Sequence, residues 1–203
     1  MRKYIFHEAL GLSIALLGMA GCTKKGPVAL PQLELRAETK PGLNRDLRGD
    51  PMSLVVNVYQ LKDKTEFQKL TFETASSGRP DSELLGQDLL GKRELVLVPG
   101  GTYTYALDLQ PGTKFVGLVG LFRKPDTNYW RYLVSVDQLL SIRSKTSKPP
   151  KGKTKKTMPL SLTFRVDNCF MELVALKAEP LAGQPDGAKP VCATLPWAPL
   201  PKK

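Results

Sequence analysis

The chain has 203 residues, with 30 Lys and Arg against 19 Asp and Glu, and a formal net charge of +11 at pH 7. Its one histidine, His7, lies in a segment that reads as a removable leader, so the rest of the chain holds no imidazole for Ser-His-Asp or Cys-His catalysis or for a His-ligated zinc. Seven cations and no acid fall in residues 141–158, SIRSKTSKPPKGKTKKTM, which describes an ordinary domain with one basic loop and excludes a uniformly basic nucleic-acid binder.

The chain opens with Arg2 and Lys3, followed by twelve largely apolar residues from Ala9 to Ala20. That run is too short to span a bilayer, which needs roughly 20 apolar residues. A basic start, a short apolar core and a small-residue exit predict a secretory signal peptide over 1–21. Met19-Ala20-Gly21-Cys22 resembles a bacterial lipobox, with Met19 where Leu is usual. Cleavage there leaves Cys22 as an acylated first residue, and Thr23 after it, rather than Asp, matches outer-membrane sorting. Each buried lipid methylene contributes about 0.8 kcal/mol, and stable attachment takes more than one chain. A plain signal peptide with an incidental cysteine is the other reading of this seam. Residues 1–21 carry Arg2, Lys3 and Glu8, so the remaining 182 residues hold 28 cations against 18 acids. That length suits one well-buried domain with extensions.

Residues 22–31, polar with Gly and two prolines, read as a tether. QLELRAET (32–39) alternates, with Leu33, Leu35 and Ala37 on one face, and predicts a strand. Residues 40–52, rich in Gly, Pro, Asn and Asp, predict a loop. SLVVNVYQL (53–61) is a β-branched strand. Asp63 and Glu66 have capping-box spacing, which predicts one short helix near 64–73. A loop over 76–82 and an ambiguous stretch, SELLGQDLLG, follow. RELVLVP and TYTYALDLQ predict two strands joined by a turn at Pro99-Gly101. FVGLVGLFR (115–123) is a strand in which Gly117 and Gly120 signal close backbone approach or a bulge. WRYLVSV, LSLTFRVDN and FMELVALKA supply the remaining strands, around the basic loop 141–159. The segment 179–203 is a Pro-rich tail. Seven or eight short strands between turn signals predict an all-β fold, a two-sheet β-sandwich over 32–178 with a short added helix.

Motifs for chemistry are weak. No S-x-x-K pair exists, GKT at 152–154 lacks the upstream glycine of a phosphate loop, and RGD at 48–50 is a three-residue match. Glu83, Asp88 and Glu94 could in principle form a carboxylate pair, but nothing singles them out and surface charge is the better reading. The expectation is no enzyme, no metal and no cofactor beyond the covalent lipid on Cys22. Cys169 and Cys192 are compatible with a disulfide in an oxidising compartment, or with one buried and one free thiol.

The order of fragments across 43–131 is similar to the TssJ (VasD-type) outer-membrane lipoproteins of the bacterial type VI secretion system. The resemblance runs through Asn44-Arg45-Asp46, Gly49, Pro51, the strand Val55–Leu61, Phe67 and Phe72. It continues through Leu85–Leu90, Glu94, Pro99-Gly100, Phe115-Val116-Gly117, Phe122-Arg123 and Trp130-Arg131. It implies a transthyretin-like sandwich lipid-anchored on the periplasmic face of the outer membrane. The implied partner is the periplasmic C-terminal region of TssM, an inner-membrane protein, joined to the outer membrane through this link. The loop between the first two strands is implicated in that contact, which here means Leu43, Asn44, Arg45, Asp46, Leu47 and Arg48. Leu43 and Leu47 would supply apolar contact, and the charged and amide groups would fix register. A solvated turn is the competing reading. Arg45 stands where the family often has Pro, which suggests a less rigid loop. The basic segment and the tail look like additions. The alternative function is a lipoprotein that binds lipid or peptidoglycan through the sandwich or the basic loop.

Overall fold

The computed structural model describes residues 32–146, 159–181 and 190–192. The predicted signal peptide, Cys22, the tether, most of the basic loop and most of the tail lie outside the described residues. Eight strands form two four-stranded sheets. β1 (Leu33–Thr39), β4 (Thr102–Leu107), β7 (Leu160–Val166) and β8 (Met171–Val174) make one, in the order β4-β1-β7-β8. β2 (Leu54–Leu61), β3 (Leu89–Leu97), β5 (Phe115–Gly120) and β6 (Arg131–Ser135) make the other, in the order β3-β2-β5-β6. β1 pairs parallel with β7 and antiparallel with β4.

Period-2 alternation sends every second side chain of a strand inward. Leu33, Leu35 and Ala37 of β1 meet Leu162, Phe164 and Val166 of β7, with Val56, Val58 and Leu118 from the second sheet, all fully buried. Each such side chain contributes on the order of 1.5–3 kcal/mol by leaving water. These side chains fill the space that a lipid in the sandwich interior would need.

The Pro99-Gly101 turn is present, but the strands it joins belong to different sheets. Thr39 at the end of β1 ties that strand to the turn: its hydroxyl accepts from the Gly101 N–H at 2.7 Å and donates to the Val98 carbonyl at 2.7 Å.

The predicted single helix is two. α1 (Thr65–Lys69) ends at Leu70, and α2 (Phe72–Ala75) starts afresh from Thr71. Thr71 and Thr74 form a reciprocal capping box, so the box lies at the second helix and not at Asp63 and Glu66. Asp63 instead accepts from the N–H and hydroxyl of Thr65 at 3.0 and 2.7 Å. The ambiguous stretch resolves into α3 (Asp81–Leu85), a 3-10 turn (Gly86–Asp88) and the start of β3. α4 (Val136–Thr146) claims the first residues of the segment predicted as the basic loop, 141–146.

The small helices cover the outer face of the second sheet. Phe67 of α1 is fully buried over Gly117, where an added Cβ would lie 2.5 Å from the ring. Gly120 makes the same kind of room for Phe122. Close approach, not a bulge, is therefore the reason for both glycines. Arg131 reaches under α1 and donates to the carbonyls of Phe67 at 2.8 Å and Gln68 at 3.3 Å.

Candidate protein-binding loop

Strand directions decide which loops meet. β1 runs from residue 33 to 39, so the β1–β2 loop leaves the sandwich at the end opposite to residue 32. β7 is parallel to β1, β5 is antiparallel to β2, and the β3–β4 turn bonds to Thr39. The β1–β2 loop, the β3–β4 turn, the β5–β6 connection and the β7–β8 turn thus gather at one end.

The six loop residues divide sharply. Leu43 is fully buried in the core, and Asn44 is only 5% exposed. Both are therefore corrected from surface contacts to structural anchors. Asn44 sits at φ 48, a left-handed conformation that Asn tolerates better than most residues. Its Nδ2 donates to the Ser53 carbonyl at 2.8 Å, and its Oδ1 accepts from the Arg123 N–H at 2.9 Å. One side chain thereby ties the loop to the start of β2 and to the β5–β6 connection.

Arg45 is held rather than loose, contrary to the expectation from its replacing proline. Its N–H donates to Asn168 Oδ1 at 2.9 Å, and its Nη1 donates to the Gly49 carbonyl at 2.7 Å. A Cβ at Gly42 would come within 2.8 Å of the guanidinium, so the glycine makes room for it. Asp46 organises the tip. Its Oδ1 accepts from the N–H groups of Arg48 at 2.8 Å and Asp50 at 3.0 Å. Desolvation acts to raise its carboxyl, but the amides of Asp50 and Arg48 and the charge of Arg48 outweigh it and hold the group below the ordinary carboxylate value. Arg48 lies 3.5 Å from Asp46 and 3.6 Å from Asp50, with its side chain well exposed. Gly49, at φ 94, lets the chain reverse.

Leu47 is left 71% exposed at the tip. Beside it is a cleft of about 320 Å³ lined by Arg45, Asp46, Leu47, Arg123 and Lys124. Arg123 and Lys124 were missed by sequence reasoning as site residues, since only the β2–β5 register carries them to this loop. Asn168 was missed because the parallel β1–β7 pairing is what carries it to the loop. The Phe122-Arg123 pair was the sole signal pointing there.

Cys169 and Cys192 form a disulfide with Cα atoms 5.6 Å apart. It holds Val191 against the β5–β6 connection, where the Val191 N–H donates to Asp126 Oδ2 at 2.8 Å. The Asp126 N–H in turn donates to the Cys169 carbonyl at 2.8 Å. Cys169 adjoins Asn168, so the clamp lies next to the group that holds Arg45. Among the described residues no cluster of three or more His, Cys, Asp or Glu could hold a metal ion, and no helix is long and apolar enough to cross a membrane.

The sequence model of the family described as "Type VI secretion lipoprotein, VasD, EvfM, TssJ" matches residues 31–163. No curated protein matches the sequence. The fold is similar to the T6SS lipoprotein TssJ1 from Pseudomonas aeruginosa, with 22% identity, a TM-score of 0.55, and coverage of 74% of this chain and 98% of that one. It is also similar to a chain of a structure described as "Type VI membrane complex", with 24% identity, a TM-score of 0.55, and coverage of 71% and 98%. A third similar chain comes from the structure described as "T6SS protein TssM C-terminal domain (869-1107) from EAEC", with 23% identity, a TM-score of 0.54, and coverage of 72% and 100%.

Proposed function

Because this chain belongs to the TssJ/VasD family of type VI secretion lipoproteins, we propose that it links the outer membrane to a TssM-like inner-membrane protein within the secretion apparatus. The lipid is carried by Cys22, on the periplasmic face of the outer membrane. The sandwich acts as a spacer, and the β1–β2 loop makes the protein contact. No chemical step is required of it.

The observation that carries this reading is Leu47. A leucine 71% exposed on a loop tied down at Asn44, Arg45 and Asp46 is a pre-ordered apolar anchor. Interfaces draw most of their free energy from a few such anchors, and pre-ordering lowers the entropy lost on binding. The loop also lies at the end of the sandwich opposite to residue 32, from which the chain runs back toward Cys22.

The test is capture of the periplasmic C-terminal fragment of the TssM-like protein by the detergent-solubilised full chain. Leu47→Ser is expected to weaken binding at least tenfold, about 1.4 kcal/mol or more, with no change in thermal stability. Binding within twofold of the parent would remove this loop from the contact.

A further inference from the structure

We propose that the cleft between the β1–β2 loop and the β5–β6 connection receives a carboxylate-bearing segment of the protein partner, with Arg45, Arg123 and Lys124 as its cationic walls. The proposal rests on the loop being the contact site and names the chemistry that the contact selects.

Charge compensation is the argument. The cleft and its loop carry Arg45, Arg48, Arg123 and Lys124 against Asp46 and Asp50, while Asp126 and Asp167 on the neighbouring connections are taken up by backbone N–H groups of Val191, Asn128, Tyr129 and Asn168. Asp46 is committed inward, accepting two backbone N–H groups and facing Arg48. Arg48 takes up the same Asp46 and Asp50, so these three groups largely cancel among themselves. Arg123 and Lys124 are exposed and have no ion pair among the described residues. Arg45 gives one hydrogen bond from its guanidinium, to the Gly49 carbonyl. Its planar fork offers five donors in all, a geometry suited to a carboxylate. Three cations are therefore left around one cleft with no ion pair to an acid among the described residues.

Shape and position favour a protein segment over a membrane headgroup. The cleft holds about 320 Å³, and Leu47 lies on its wall, so a carboxylate next to an apolar side chain fits both chemistries at once. The cleft opens at the end of β1 remote from residue 32. The main chain under two of its cations is also fixed: the backbone N–H of Arg123 is bound by Asn44, and that of Arg45 by Asn168.

Charges of this kind act chiefly on association rate and its salt dependence, while a buried apolar anchor acts on dissociation. The full chain is therefore assayed against the purified periplasmic C-terminal fragment of the TssM-like protein at low and high salt. Arg123→Glu with Lys124→Glu leaves the backbone bond to Asn44 in place. It is expected to slow association at least tenfold at low salt and to flatten the salt dependence, with parental thermal stability. Leu47→Ser is run beside it. If Leu47→Ser weakens binding but the charge reversal leaves rate and affinity within twofold, the acidic-segment proposal is overturned and the loop reading stands. If neither variant matters, both are overturned. A third arm uses Cys22→Ser protein with vesicles containing phosphatidylglycerol. Charge reversal that releases protein from these vesicles without changing affinity for the fragment would assign the cleft to lipid phosphate and overturn the proposal.

Discussion

Asn44 shows how much one side chain carries at the residue scale. It is buried, left-handed, and bonded to two backbone groups 9 and 79 positions away. Removing a partner from a buried polar group costs about 1–3 kcal/mol, and a non-glycine residue held at positive φ costs about 1–3 kcal/mol. Asn44→Ala is therefore expected to lower the unfolding free energy by roughly 2–4 kcal/mol in chemical denaturation. Asn44→Gly keeps the backbone conformation and should recover part of that loss. An alanine variant within about 0.5 kcal/mol of the parent would mean the loop does not depend on these bonds. The family-like string Asn44-Arg45-Asp46 was visible in the sequence, but its inward role was not. A loop has no side-chain period, so nothing local distinguishes buried Leu43 from exposed Leu47.

At the element scale the weak members are the helices. α1 has five residues, too few to be stable alone, and is held by what it packs against. Phe67 fits over Gly117 in an edge contact with Tyr59, ring centroids 6.3 Å apart, and Arg131 satisfies the helix's last carbonyls from below. Gly117→Ala puts a methyl into the Phe67 ring and must push the helix outward, at a cost of about 1–3 kcal/mol. A fall in melting temperature of roughly 2–12 °C is expected for a domain of this size. A rise would show that the ring has room to yield. Gly117 and Gly120 were legible as close-approach positions, because glycine within a β-branched run gives up side-chain packing and weakens the strand unless a neighbour needs the space. Their partners were not, since Phe67 lies 50 residues from Gly117 and joins it only when α1 folds onto the sheet.

The whole molecule reads as a strut with two dissimilar ends. One end carries residue 32, and the other carries four connections, three tied together by Asn44, Asn168 and the Cys169–Cys192 disulfide and the β3–β4 turn held by Thr39. In the chain-entropy model a loop of this size contributes roughly 3 kcal/mol when closed by a disulfide. That clamp fixes Val191 beside the β5–β6 connection. Cys22→Ser is expected to move the protein from the outer-membrane fraction to the soluble periplasm with an unchanged melting temperature. A variant that still sediments with outer membranes after a high-salt wash, in detergent-free fractions, would refute acylation as the anchor.

What the sequence by itself determined is what local physics controls. Alternating apolar residues made β1 and β7 strands wherever they were to sit, because a pleated chain buries every second side chain, and β-branched content made β2 one. The lack of a histidine beyond residue 7 removed whole classes of catalysis before any fold was known. Tertiary structure alone decided the rest. It sent β3 and β4 into separate sheets, turned Leu43 inward and Leu47 outward, and brought Arg123 and Lys124 beside Arg45. The bonds behind the last of these join Asn44 to Arg123 and Arg45 to Asn168. Such contacts form only once the strands between them have found their register, and no window along the chain contains both partners.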